Sequence, residues 1–592
     1  MRWQSLVNFD PATRVLSVSR WQLMAGMLIA MLITAVLSAF VSIAIKYDVA
    51  WVVLLPPLMT IMLAMISKRV VLSLFFGILF AGFLNQSDHF SASTSTPVDL
   101  MWAFSAEHGL QPWATTLQWY RDAIISEFNL FLLTFVISMM MMVNITTGTH
   151  GFDGLVNRLQ KSATTARSVK LTTSAMGGLI FFDDYANTTV VGSAMRPLAD
   201  RYQISREKLA FIVDSTAAPI AGLALISTWV GYEAGLFEPL LQAAAIDLNG
   251  FSLIFESLAF RFYCIFLLLF VLINSLLDRD FGPMSKSKPM MQAADANQAS
   301  AVNEINKLPS TANKHHPSIA RALMPIAILI LTIIIGLFID GNISTSPWSF
   351  STWQNILINA SHTVQIFALA GMLSLFCAIA LVPKSYRANI PSLAIAALRL
   401  SLIPIAILIS AWAFKAALDA LQCAQYLIPI VQNNLNPLFF PIIVFLVAAM
   451  ISFATGTSWG TMATVIPIAF PLAIALNPGI NPGEATILGP VFLLTIAATL
   501  DGSIFGDHCS PLSDTTILSS TACQCDHIAH VKTQFPYAVC VAILALLLGY
   551  LPVILHDAGF WLYLAAIVAI VAVHFIFGRQ NQLEQTAAQP HR

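Results

Sequence analysis

Four groups of ionisable and hydroxyl residues lie inside apolar stretches of this 592-residue chain. Asp183 and Asp184 are followed by Asn187, Thr188 and Thr189 in FFDDYANTT, Phe181–Thr189. Asp214 stands with Ser215 and Thr216 in IVDSTAAPIAG, where Pro219 predicts a locally unwound helix. Lys415 and Asp419 share one helix face. The longest group, TLDGSIFGDHCSPLSDTTILSS, carries Asp501, Asp507, His508, Ser510, Ser513, Asp514 and Thr515. FATGTSWGT, Phe453–Thr461, adds the uncharged oxygens of Thr457 and Ser458. Ionisable groups in hydrocarbon are costly and by default mark a pathway or a coupled site. Carboxylates beside hydroxyls, amides and freed backbone carbonyls form an oxygen-rich cage suited to hard cations. Burial favours the neutral acid and a neighbouring cation favours the charged one. Na⁺ and H⁺ therefore compete for such a site, which is a sufficient basis for exchange. The expected ion- or substrate-binding set is Asp183, Asp184, Asn187, Thr188, Asp214, Ser215, Thr457, Ser458, Asp501, Asp507, His508, Ser510 and Asp514.

The elements that position these residues must be membrane helices. The chain is 57% hydrophobic and only 10% charged, with mean hydropathy +0.76, against about 25% charged residues in soluble domains. Its 29 basic and 30 acidic residues leave a formal charge of −1, which argues against nucleic acid as a partner. Seven cysteines make no disulfide framework. Taking about 20 apolar residues per crossing, the sequence gives twelve spans: 21–45, 49–67, 70–84, 121–147, 209–230, 258–277, 322–340, 363–382, 398–420, 485–522, 535–554 and 559–577. The span 485–522 is too long and too polar for one straight helix.

Loop charge orients the bundle. With both termini cytoplasmic, only Lys46, Arg121, Arg261 and Lys415 of the 29 basic residues fall outside, leaving 25 inside. Basic segments 150–170 and 196–208 flank 171–195 on both sides, so that stretch reads as a re-entrant hairpin, with a surface-parallel helix as the alternative. The stretch 437–475 lies between segments without basic excess and dips in from the other side. Polar backbone at membrane depth is tolerated where it is buried in protein or lines a wet cavity. The whole is an all-α polytopic membrane protein of about twelve helices in two inverted-topology repeats, each with a re-entrant hairpin and a broken helix, and a site at their interface. The halves are 1–280 and 321–592, joined by a polar cytoplasmic linker, 281–320, of disordered composition.

Each residue also has a plainer reading. Asp183 or Asp184 caps the second hairpin arm. Asp214 forms a fixed bridge with Lys415. Asp507 and Asp514 cap the halves of a broken helix. Arg206, Glu207 and Lys208 form a solvated helix start, and His508 is either a proton relay or a packing residue. His508, Cys509, Cys523, Cys525, His527 and His530 invite a Zn²⁺ reading, but Cys523-x-Cys525 is tighter than the common pairing and His527 and His530 are expected in a cytoplasmic loop. No transition-metal site and no cofactor are expected, and the absence of a P-loop leaves no ATP motor.

At FFDDYANTTVVGSAMRPLADRYQISREKLAFIVDSTAAPIAG (Phe181–Gly222), ATGTSWGTMATVIP (Ala454–Pro467) and IFGDHCSPLSDTTILSS with CDHIAHVKTQFPYA (within Ile504–Ala538), the sequence resembles the NhaC family of sodium/proton antiporters. The resemblance implies Na⁺ or Li⁺ efflux against proton entry across a bacterial inner membrane and a fold like the wider ion-transporter superfamily. It implies small cations, protons and lipid as partners, and a homodimer is compatible with it. The family also includes carriers of organic anions and amino acids, so Na⁺- or H⁺-coupled transport of an amino acid or small organic acid is the alternative. The linker and the outside loop 85–120 are long for the family's compact members.

Overall fold

The computed structural model describes residues 50–85, 111–246, 248–287, 318–341, 360–477, 489–555 and 559–580, with two short strand pieces at 8–9 and 16–17. The expected span 21–45 and most of the 281–320 linker and 85–120 loop lie outside the described residues. Among those described, eight helices are long and apolar enough to cross a membrane, or nine if Gly250–Phe260 and Phe262–Leu277, bent by 52°, count as one. The expected twelve is therefore larger than the number the described helices support by length and composition. The stretch 231–257, between the expected spans 209–230 and 258–277, is mostly helical, as Thr228–Ala243 and Gly250–Ser257. Large apolar side chains such as Met62, Ile339, Phe376, Ile403 and Val568 are exposed, as a lipid solvent permits and water does not.

Two helix–break–helix hairpins organise the interior. The first is Ala166–Leu179 and Asp184–Arg201, the second Phe440–Thr455 and Ser458–Ala475. The arms of the first, 14 and 18 residues long, reach about 21 and 27 Å at 1.5 Å per residue, less than the roughly 30 Å hydrocarbon core, whereas both arms of the second, as Pro437–Thr455 and Ser458–Ala475, are among the eight helices long and apolar enough to cross. Two broken helices accompany them. One runs Arg206–Ser215, then a short turn Ala218–Ala221, then Thr228–Ala243; the other is Pro490–Cys509 and Asp514–Cys523. The break in the long 485–522 stretch thus falls at Ser510–Ser513.

The hairpins pack across the halves. Asp184–Arg201 lies against Asp514–Cys523, and Ser458–Ala475 lies against Thr228–Ala243. Gly456 makes the second tip possible. Its φ is +71°, and a Cβ there would stand 2.5 Å from the Leu512 backbone, so only glycine lets the tip meet the second break.

The polar residues expected at a solvated helix start prove partly buried. Lys208 is 4% exposed and pairs with Asp280, which also accepts from Tyr537 at 2.7 Å and Asn274 at 3.1 Å. Strand Arg279–Asp280 pairs antiparallel with Arg579–Gln580, which anchors the start of the linker to the end of the last described helix.

Candidate functional site

Four helices begin at one cavity. Their first residues are Asp184, Thr228, Ser458 and Asp514, and each is preceded by a side chain that caps it. Asp183 accepts from Ala186 N at 2.8 Å, Ser227 from Val230 N at 3.1 Å, Thr457 from Gly460 N at 3.2 Å and Ser513 from Thr516 N at 3.3 Å. Caps of this kind satisfy orphan N–H groups and fix where a helix starts. The plain reading of Asp183 as a cap therefore holds, and Asp183 also lines the cavity. The cavity measures about 250 Å³.

Four carboxylates from both halves share this space: Asp183, Asp184, Asp507 and Asp514. Thr457, Ser458 and Thr515 bring hydroxyl oxygens to it. Ser458 donates to Asp507 Oδ2 at 3.1 Å, which joins the second hairpin tip to the second broken helix. Asp507 Oδ1 is buried without a partner. Asp184 Oδ1 accepts from the Tyr185 backbone N–H at 3.0 Å. Such a ring of oxygens can bind a small hard cation.

The other expected residues sit elsewhere. Asn187 braces the first hairpin, its amide within reach of the carbonyls of Gly177, Ile180 and Thr216 at 2.8, 3.1 and 2.9 Å. Thr188 donates to the Asp184 carbonyl at 2.8 Å. Ser510 donates to the Phe453 carbonyl at 2.7 Å, tying the second break to the second hairpin. Asp501 is fully buried in an ionic knot. Arg261 contacts it at 2.7 Å and Glu233 at 3.5 Å, while Tyr263 N and Tyr550 Oη donate to its second oxygen at 2.8 and 3.1 Å.

Asp214 belongs to a third cluster. Gln534 donates to it at 2.6 Å and Thr516 at 3.2 Å, with His530 Nε2 at 3.5 Å. Ser215 meets His508 Nε2 at 3.1 Å, and Tyr263 meets His508 Nδ1 at 2.9 Å. The alternative Asp214–Lys415 bridge is not formed, because Lys415 pairs with Asp419 at 2.7 Å. Nor do His527 and His530 lie in a loop. They open the helix His527–Leu544, and His530 is completely buried. His527 uses both ring nitrogens, on Ser520 at 3.0 Å and the Pro511 carbonyl at 2.8 Å.

Sequence reasoning missed Trp229, Arg399 and Asn144, which also line the cavity. Trp229 had a readable signal. Ser227-Thr228-Trp229 echoes Thr457-Ser458-Trp459, and the two indoles meet edge to face at 5.9 Å.

A family model described as the Na⁺/H⁺ antiporter family matches residues 220–553. The chain belongs to that family. It is a membrane transporter rather than an enzyme. A Haemophilus influenzae protein named as uncharacterized is 29% identical over 528 residues, 88% of this chain and 94% of that one. A stretch of 121 residues is 34% identical to the malate-2H⁺/Na⁺-lactate antiporter of Bacillus subtilis, covering 20% of this chain and 23% of that protein. Among solved structures, Neisseria gonorrhoeae MtrF, described with a class of antimetabolite efflux pumps, matches at TM-score 0.50 and 13% identity over 86% of this antiporter-family chain and 95% of MtrF. That likeness is one of fold alone.

Proposed function

We propose that this family member exchanges Na⁺ (or Li⁺) for H⁺ across a bacterial inner membrane, with both termini cytoplasmic and with Asp183, Asp184, Asp507 and Asp514 as the shared site. The observation that carries this reading is the meeting of four carboxylates, drawn from both hairpin-bearing halves, at one cavity. Asp507 is the leading ligand because its Oδ1 is buried and unpartnered, and a buried charge left unpaired is costly. A bound Na⁺ or proton removes that cost, and either can do so. Thr457, Ser458 and Thr515 supply neutral oxygens that complete a cation's shell.

The two hairpin tips and the two breaks are the places where backbone is free of helical pairing, as discontinuous helices are in other transporters. Rocking one half against the other would expose the cavity to each side in turn. The deciding experiment is a Na⁺ pulse to proteoliposomes holding a pH dye and no organic solute. Proton efflux that follows external Na⁺ supports exchange; its absence in folded, reconstituted protein removes this reading.

A further inference from the structure

We infer that Glu233 is a second proton-binding site, separate from the carboxylate cavity, which carries one further H⁺ for each Na⁺ exchanged. This rests on the exchange reading and deepens it, because it assigns a residue to the proton count.

Glu233, Arg261 and Asp501 are all completely buried. Two acids face one guanidinium there, so with all three ionised two negative charges stand against one positive. The hydrogen bonds are shared unequally between the acids. Asp501 Oδ1 accepts from Arg261 Nε at 2.7 Å, and Oδ2 accepts from the Tyr263 backbone N–H at 2.8 Å and from Tyr550 Oη at 3.1 Å. Both oxygens of Asp501 are thus held as a carboxylate. Glu233 has only a 3.5 Å contact from Arg261 Nη1 to its Oε2, and the same nitrogen donates to the Gly222 carbonyl at 3.2 Å. Glu233 Oε1 is buried with no partner. The unbalanced charge therefore falls on Glu233. A buried charge without a partner is costly, above all in a membrane core. A proton on Oε1 removes that cost and leaves Arg261 paired with Asp501. Among the described residues, the other titratable groups packed here are Tyr232, Tyr263, Cys264 and Tyr550. At their ordinary values of about 10 for tyrosine and about 8.5 for cysteine they stay neutral near pH 7, so Glu233 is the group whose charge can change.

Glu233 lies four residues past Trp229 in Thr228–Ala243, and Asp501 lies six before Asp507 in Pro490–Cys509. Those separations are about 6 and 9 Å along the helices at 1.5 Å per residue. Trp229 and Asp507 line the cavity, and Glu233 and Asp501 do not. The site is thus built on two of the cavity's own helices without sharing its ligands. In one cycle Glu233 Oε1 takes a proton from water on one side and returns it to water on the other. The cavity carries a second proton the same way, and one Na⁺ moves back. Each turnover then carries one net charge, which the membrane potential can drive.

The test uses full-length protein in vesicles held at zero potential with K⁺ and valinomycin. It finds the Na⁺ gradient that just stops the proton flux driven by a fixed pH step. Each proton moved per Na⁺ lets a step of about one pH unit balance about a tenfold Na⁺ gradient. Wild-type protein should balance about a hundredfold gradient and Glu233→Gln about a tenfold one. Glutamine keeps the shape and neutrality of the protonated acid, so Glu233→Gln should fold and melt like the wild type. A wild-type balance at about tenfold overturns this inference alone, as does the wild-type balance retained in Glu233→Gln. A Glu233→Gln protein that fails to fold, or melts far below the wild type, makes Glu233 a fixed counter-charge of Arg261 and also overturns it. No Na⁺-driven proton flux in folded wild-type protein at any gradient overturns the exchange reading, and this inference with it.

Discussion

Asp507 and Asp501 stand six residues apart on one helix, Pro490–Cys509, yet neutralising each should fail in a different way. Asp507 Oδ2 accepts from Ser458 at 3.1 Å, Ser513 also lies within reach of the carboxylate, and Oδ1 makes no close hydrogen bond. In Asp507→Asn the amide oxygen can still accept from Ser458, so folding should change by less than about 1 kcal/mol, the net worth of a typical hydrogen bond. Cation binding should suffer far more. Losing one charged oxygen from the ligand set removes about 1.5–3 kcal/mol, or about ten- to a hundredfold in the apparent Na⁺ constant. Asp501→Asn does the reverse. It leaves Arg261 buried and its 2.7 Å pairing lost, with only Glu233 at 3.5 Å as a counter-charge. Breaking a buried pair from one side costs about 3–5 kcal/mol. Thermal melts of both variants in detergent, beside Na⁺-driven proton flux normalised to folded protein, separate the two effects. The reasoning is refuted if Asp507→Asn keeps its Na⁺ constant within about twofold, or if Asp501→Asn melts like the wild type.

Three further outcomes are expected. If one proton and Na⁺ compete for the cavity, the apparent Na⁺ constant should rise by about tenfold per pH unit on the acidic side, where protons win; a constant that stays flat from about pH 6 to 9 in vesicle flux would separate the two ion paths. Single cysteines placed in 150–170 and in 196–208 should both be shielded from an impermeant thiol reagent outside whole cells, and labelling of only one would make the first hairpin a full crossing. Burial pushes the Asp280 carboxyl up, but the Lys208 ammonium and hydrogen bonds from Lys208, Tyr537 and Asn274 outweigh it and hold the group below the usual range. Its stabilising contribution is thus complete above about pH 3.9 and is lost as pH falls through the lower folded value. Asp280→Asn should therefore lower the melting temperature at neutral pH and make the acid-side decline shallower, as read by melts from neutral pH to about pH 3.

The helix–break–helix pairs were legible in the sequence because polar clusters interrupt apolar runs at 181–189 and 453–461. The break in 485–522 was legible from its length and polarity, and it falls at Ser510–Ser513. What the sequence could not supply was which carboxylates meet. Asp501 looks like its neighbours along the chain, but the Arg261 that claims it lies 240 residues away. His530 was read as a loop residue because the first turns of its helix, HIAHVKTQ, are polar; they are polar because that face meets Asp214 and Ser519. Lys208 deceived for the same reason, since its partner Asp280 follows a different helix.

The charge around the cavity bears on why exchange would be obligatory. Each helix start acts as roughly half a positive charge, so four of them contribute about two. Arg399 adds one, and the four aspartates, if all ionised, bring four negative charges. Roughly one negative charge is left over. On the proposed exchange, one Na⁺ or one proton brings the cavity near neutrality, and neither leaves it with a charge that is costly to carry through a low-dielectric core. The loaded states can then cross and the unloaded state is held back.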